Sequence, residues 1–234
     1  ETFITKETAE NSLDIVATQN EGALNSGAVY IYRKSGINSW AFHSFIKSSN
    51  NETDDLFGSA VALNGNTLIV SAPGEDSLAS GVHSSLTSDT ENLKLNNLAS
   101  SSGAVYIFKF DETTNTWAEK YYIKPEQNVI TDGNYNKGFG HQLAIHNNKL
   151  LVSAPLEDSD NGDSSNSNKP NSGAVYVYNI TTDTLSYKSV LKAVNPSIND
   201  EFGSQIAIND NFIVVSSPFE DHSNRRITNS FQDL

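Results

Sequence analysis

Carboxylates are the side chains whose type and spacing could do chemistry in this sequence. Asp158, Asp160 and Asp163 place three carboxylates within six residues, and Gly162 supplies a sharp turn between them. Calcium takes about six to eight oxygen ligands, so a short loop of this composition is typical of a calcium site. No glutamate follows at the spacing of an EF-hand, and similar loops occur in proteins that bind no metal. The sequence therefore suggests one cofactor, Ca²⁺, with Asp158, Asp160 and Asp163 as its ligands.

Acidic pairs recur at equivalent places along the chain. Each pair follows two residues after a proline that ends an apolar run, and the pairs are Glu75 and Asp76, Glu157 and Asp158, and Glu220 and Asp221. Two interpretations stay open. The carboxylates accept backbone N–H groups and order their loops, or they form a surface for cations or basic ligands.

The sequence contains no recognisable catalytic motif. There is no Gly-x-Ser-x-Gly, no phosphate-binding loop and no dinucleotide fingerprint. The five histidines are dispersed, and none of them forms a metal-ligand spacing. The absence of Cys removes thiolate metal sites and disulfides. We therefore expect a protein that is not an enzyme.

Charge and hydropathy exclude two classes of partner. The formal net charge is -13, which repels a phosphate backbone, so we expect no nucleic-acid partner. No apolar run reaches the roughly 18 residues that a membrane-spanning helix needs, so we expect no membrane span. Cations and basic surfaces suit the overall charge better.

Three short motifs recur three times each, at intervals of about 70 residues. The Phe-Gly motif begins at Phe57, Phe139 and Phe202; the Ala-Pro or Ser-Pro motif ends at Pro73, Pro155 and Pro218; and the Gly-Ala-Val-Tyr motif begins at Gly27, Gly103 and Gly173. Such periodic self-similarity is the signature of a repeat architecture.

Each repeat predicts four short strands. The motifs supply the first three, and the fourth is predicted at Trp40–Ile46, at 117–123 and at Leu185–Leu191, because these runs are apolar or β-branched and end at turn residues. No window shows a helical period. We therefore predict an all-β fold, a β-propeller of four-stranded antiparallel blades with the first strands innermost. We expect the Phe of each Phe-Gly motif to wedge between adjacent blades.

The first and the last of the predicted repeats are incomplete. Within a single repeat domain, 1–234, the pattern predicts a partial blade at 12–46, complete blades at 57–123 and 139–191, and a partial blade at 202–218. That makes about three to four blades, whereas propellers typically have about 4–8. We expect the chain to be part of a longer one, or to close a ring with another chain.

This order of motifs resembles the FG-GAP repeat family, whose members include the head of integrin α chains. Within that family, the chain is most similar to the bacterial extracellular branch. The resemblance implies a propeller fold and an extracellular or cell-surface, secreted location. Calcium-binding members of the family carry Asp-rich hairpins between the first and second strands. The hairpins at 64–66, 146–148 and 209–211 have at most one carboxylate among them, so we expect these hairpins to be metal-free.

The resemblance implies a binding or adhesion module whose partner is a protein or a glycan. A purely structural scaffold, with neighbouring domains of a larger surface protein as partners, is the alternative. An enzyme with a site in the central channel is the least favoured. We expect a ligand to meet the face that carries the loops after the second and fourth strands. The long loop at 74–101 is interpreted as a flexible or partner-contacting insert.

Overall fold

The computed structural model describes residues 22–84, 94–126, 138–162, 167–181 and 184–221, and in these ranges the chain is all-β with almost no helix. The first part of the predicted leading partial blade, 12–21, lies outside the described residues. No helix in the described ranges is long and apolar enough to cross a membrane.

The described strands form four antiparallel sheets, which we call blades 1 to 4 in chain order. Blade 1 contains β1 (Val29–Lys34) and β2 (Trp40–Ile46). Blade 2 contains β3 (Val61–Asn64), β4 (Thr67–Ala72), β5 (Val82–Ser84), β6 (Ala104–Asp111) and β7 (Thr116–Ile123). Blade 3 contains β8 (Leu143–His146), β9 (Lys149–Ala154), β10 (Ala174–Ile180) and β11 (Leu185–Leu191). Blade 4 contains β12 (Ile206–Ile208) and β13 (Ile213–Val215).

Strand order within the blades confirms the predicted architecture. Blade 3 runs β8-β9-β10-β11, and every pairing is antiparallel. Blade 2 runs β3-β4-β6-β7 in the same sense. The first strands β3, β8 and β12 lie beside one another from blade to blade, so they form the inner end of the stack.

Blade 2 departs from the prediction, because it has five strands. In the long loop between β4 and β6, Val82 pairs with Ile123 and so adds β5 to the outer edge of β7. An open strand edge offers unpaired N–H and C=O groups, and β5 covers them. Further along the same loop, the buried Lys94 forms an ion pair with Glu119 at 2.5 Å. These residues are therefore packed against the blade, whereas the flexible or partner-contacting insert stays a prediction for 85–93, which lie outside the described ranges.

Stacking covers both faces of the central blades. On β4, Val70 packs towards blade 1 and Ile69 packs towards blade 3, and neither side chain is exposed. From the side of blade 3, Leu150 and Val152 join the cluster that contains Ile69. A strand buried on both faces has no need of a polar alternation. This explains why the second strands read as continuous apolar runs.

A close backbone contact joins each blade to the next. Gly103, at the start of β6, has φ +79°, and a Cβ there would lie 2.2 Å from the carbonyl oxygen of Phe139. The equivalent distances are 2.0 Å for Gly27 and Phe57 and 2.1 Å for Gly173 and Phe202. Only glycine fits such a contact. We call these three contacts the Gly–Phe junctions.

The Phe of the junction is the predicted wedge. The Phe139 side chain is fully buried, and its ring lies 5.4 Å from the ring of Tyr176 at an interplanar angle of 77°. This edge-to-face geometry is a favourable one for two aromatic rings. Phe57 is buried in the same way against Tyr106.

We predict that Phe139→Ala lowers the free energy of unfolding by roughly 3–5 kcal/mol, because it removes a fully buried ring and leaves a cavity. Phe212→Ala is the control, since the Phe212 side chain is 69% exposed. Urea denaturation of both variants measures the difference. Equal stability losses would show that Phe139 does not act as a wedge.

Candidate functional site

The first acidic pair is buried in the protein. The Glu75 side chain is only 2% exposed, and its Oε2 lies 2.5 Å from Nζ of the fully buried Lys124. The other oxygen, Oε1, accepts a hydrogen bond from Nδ2 of Asn50 at 2.9 Å. Lys124 follows the fourth strand of the same blade, and Asn50 lies in the linker from blade 1. Glu75 thus ties together the loops at one end of two blades.

Blade 3 repeats this arrangement. Glu157 Oε2 lies 2.6 Å from Nζ of Lys192, and both side chains are almost fully buried. In each blade the lysine also donates to the serine before the Gly-Ala-Val-Tyr motif, Lys124 to Ser102 and Lys192 to Ser172. A lysine after the fourth strand and a glutamate after the second strand therefore close the same end of each complete blade.

The second members of the two buried pairs order their loops through the backbone. Asp76 Oδ1 accepts from the N–H of Ser101 at 2.6 Å, and Asp158 Oδ1 accepts from the N–H of Asn171 at 2.8 Å. These contacts are of the loop-ordering kind that the sequence left open. In blade 4, by contrast, Glu220 and Asp221 are exposed.

Burial shapes the electrostatics of these ion pairs. Loss of water lowers the pKa of Lys124 and of Lys192, and the neighbouring carboxylates of Glu75 and Glu157 oppose that shift. The cation and the anion depend on each other, since either one alone would be a buried and uncompensated charge. The sequence did not reveal the lysine partners, because they lie far along the chain from the glutamates.

The structure only partly describes the predicted calcium ligands. Asp158 is buried and bonded to Asn171, Asp160 is half-buried in the same loop, and Asp163 lies outside the described residues. Within the described ranges, no group of three or more His, Asp or Glu side chains converges as a metal site would require. Calcium at Asp158, Asp160 and Asp163 stays a prediction, and so does the absence of metal from the hairpins.

A cleft opens between blades 2 and 3, at the end of the blades opposite the acidic pairs. Its volume is about 860 Å³. Blade 2 contributes Lys109, Lys120 and Tyr121, and blade 3 contributes Asn147, Asn148 and Thr181. We call this cavity the interblade cleft. It combines cationic, amide and aromatic groups at the junction of two rigid sheets.

A β-bulge directs one of these lysines into the cleft. Ile107 pairs with Tyr121 and Phe108 pairs with Glu119, so Lys120 is the extra residue in β7. A bulge breaks the alternation of side chains and re-aims the extra one. Lys109 is fixed differently, since its Nζ donates to Thr67 Oγ1 at 2.8 Å and to the carbonyl of Thr181 at 3.2 Å. Sequence reasoning missed both lysines.

The equivalent cleft between blades 1 and 2 is much smaller, at about 210 Å³. Arg33 and His43 take the places of Lys109 and Lys120 there, since His43 is the extra residue of the same bulge. Asn115 engages both of these side chains, since its Oδ1 accepts from Nη1 of Arg33 at 2.6 Å and lies 3.3 Å from Nε2 of His43.

We predict that Glu75→Gln lowers the free energy of unfolding by roughly 3–5 kcal/mol, because the change leaves Lys124 buried without its counter-charge. Glu220→Gln is the matched control, since Glu220 holds the same place in its repeat but is exposed. Urea denaturation at pH 7 compares the two. If Glu75→Gln cost no more stability than Glu220→Gln, the buried ion pair would not stabilise the blade.

Comparison with known families agrees with the repeat structure. A model of the FG-GAP repeat matches residues 40–84 and 129–178. The first match runs from β2 to β5, and the second includes β8, β9 and most of β10. No curated protein sequence matches the chain significantly. The repeated motifs, the antiparallel blades and these two matches together show that the chain contains FG-GAP repeats.

Proposed function

We propose that this chain is a non-catalytic binding module that holds its ligand in the interblade cleft. The volume of about 860 Å³ is the observation that carries the proposal, since ligand sites in proteins usually measure about 300–1,000 Å³. The lining also supports it. Polar and aromatic side chains from two separate blades converge there, as in sites that fix the orientation of a ligand.

The opposite end of the blades is less suited to binding. There Glu75 and Glu157 are buried and engaged by lysines, so they are not available to a ligand. The expected binding face, with the loops after the second and fourth strands, therefore loses much of its exposed charge. For this reason we propose that the ligand binds at the hairpin end of the blades.

The composition of the cleft favours binding over catalysis. Among the described residues, no carboxylate or histidine lines it, so the commonest general acids and bases are missing from its described lining. Burial does raise the pKa of Asp55 to about 6, a value that suits proton transfer. However, Asp55 is buried in the linker between blades 1 and 2 and does not line the cleft.

FG-GAP repeats are typical of extracellular proteins, and we extend the proposal to an extracellular or cell-surface location and a role in adhesion. A structural scaffold is the second candidate. Tyr30 on blade 1 is 55% exposed, whereas its equivalent Tyr106 on blade 2 is fully buried by a neighbouring blade. Apolar faces of this kind suit stacking on neighbouring domains.

The test compares two tryptophan variants on a glycan array and on a panel of immobilised extracellular proteins. Asn148→Trp fills the rim of the cleft, while Asn211→Trp places the same ring at the equivalent hairpin position of blade 4, outside the cleft. We expect a ligand that binds the wild type and Asn211→Trp and loses most of its binding to Asn148→Trp. An array without any ligand, or equal binding by all three proteins, would contradict the proposal.

A further inference from the structure

The interblade cleft carries the opposite charge to the chain as a whole. The chain has a formal net charge of -13, yet the described lining of the cleft contains two lysines and no carboxylate. Lys109 is held by Thr67 and Thr181. Lys120, by contrast, has neither a hydrogen bond nor an ion pair with the described part of the chain. Its three N–H donors are therefore available to a ligand.

Two lysines set the charge of the lining itself, and two carboxylates next to it are held by lining amides, Asp210 by Asn147 and Glu112 by Asn66. Salt screens exposed charges beyond about 10 Å, so distant carboxylates have little effect on a group that lies between the blades. A single anionic group next to Lys120 forms a charge-assisted hydrogen bond, which is stronger than a neutral one. A densely charged polyanion would extend over the acidic surface and be repelled. The cleft thus favours a ligand with isolated acidic groups.

The rest of the lining resembles the groups that hold a sugar. The amide of Asn148 offers both donors and acceptors, which sugar hydroxyls require, and the amide oxygen of Asn147 is an acceptor beside its Nδ2, which donates to Asp210 Oδ1 at 2.7 Å. The ring of Tyr121 supplies flat apolar surface next to these groups. Such alternation of polar and aromatic groups suits a ligand that is polyhydroxylated and carries apolar ring faces.

The two clefts differ in whether the side chain at the bulge position already has a partner. Between blades 1 and 2, Asn115 accepts a hydrogen bond from Arg33 and contacts His43. That cleft is a quarter the size of the other, with about 210 Å³ against about 860 Å³. The larger cleft keeps a cation at the same bulge position, and the space beside it is open.

We infer that the interblade cleft binds an acidic saccharide. The carboxylate of the sugar accepts hydrogen bonds from Lys120, the hydroxyls pair with Asn147 and Asn148, and a ring face packs on Tyr121. The inference rests on the proposed function, because it names the ligand class of the same cleft.

The test is calorimetric titration with three acidic probes, each beside a neutral counterpart. The probes are trigalacturonate with its methyl ester, a hyaluronan tetrasaccharide with its methyl ester, and 3′-sialyllactose with lactose. EDTA in the buffer prevents calcium from bridging two carboxylates. We expect at least one acidic probe to bind the wild type, and its neutral counterpart to bind at least about tenfold more weakly, which is about 1.4 kcal/mol.

The matched protein variants are Lys120→Gln and Lys188→Gln. Lys188 is the extra residue of the equivalent bulge in β11, where Val177 pairs with Ser189 and Tyr178 pairs with Tyr187. Both changes remove one positive charge, but only Lys120 lines the cleft. We expect Lys120→Gln to weaken the acidic probe about tenfold, the size of one lost charge-assisted hydrogen bond, and Lys188→Gln to leave it unchanged.

Three results would overturn the inference. They are no binding of any acidic probe, equal binding of acidic and neutral forms, and equal weakening by Lys120→Gln and Lys188→Gln. None of these removes the proposed binding module by itself. That proposal fails only when Asn148→Trp leaves the array ligands unaffected or when no ligand is found, so the two failures are distinguishable.

Discussion

The Gly–Phe junction between consecutive blades is the contact on which the rest of the structure depends. At Gly103 the backbone of blade 2 lies so close to Phe139 that a Cβ would come within 2.2 Å of a carbonyl oxygen. The junction occurs three times with nearly the same geometry, so it fixes the distance between neighbouring sheets. That distance brings the apolar faces into contact and buries them on both sides, which is the main source of stability in stacked repeats.

The two ends of the stack then serve different purposes. At one end, a buried ion pair joins the loops of each complete blade. The pairs are Glu75 with Lys124 and Glu157 with Lys192. At the other end the interblade cleft lies between blades 2 and 3, beside their hairpins. Glu75 and Glu157, two of the carboxylates singled out in the sequence, are therefore engaged within the fold, whereas the interblade cleft is lined by lysines and amides of the strands and hairpins.

Most of the fold could be predicted from the sequence, because the patterns that indicate strands and repeats are local. The fourth strand at Leu185–Leu191 and the burial of Phe139 follow from short apolar runs and from repetition of the motifs. The site could not be predicted in the same way. Glu75 and Lys124 are 49 residues apart, and a bulge such as that at Lys120 changes the face of a side chain without any change in residue pattern. Strand β5 was missed because three residues are too few for a period.

The most direct test of this account is the stability of Gly103→Ala compared with that of Gly65→Ala. Both glycines have positive φ, +79° and +55°, so both variants bear the cost of a left-handed alanine, about 1–2 kcal/mol. A Cβ at Gly65 meets nothing within 4 Å, whereas a Cβ at Gly103 overlaps the backbone of Phe139. Urea denaturation should therefore show that Gly103→Ala lowers the free energy of unfolding by roughly a further 1–3 kcal/mol, beyond the loss in Gly65→Ala. Equal losses in the two variants would contradict the claim that the junction sets the spacing of the blades.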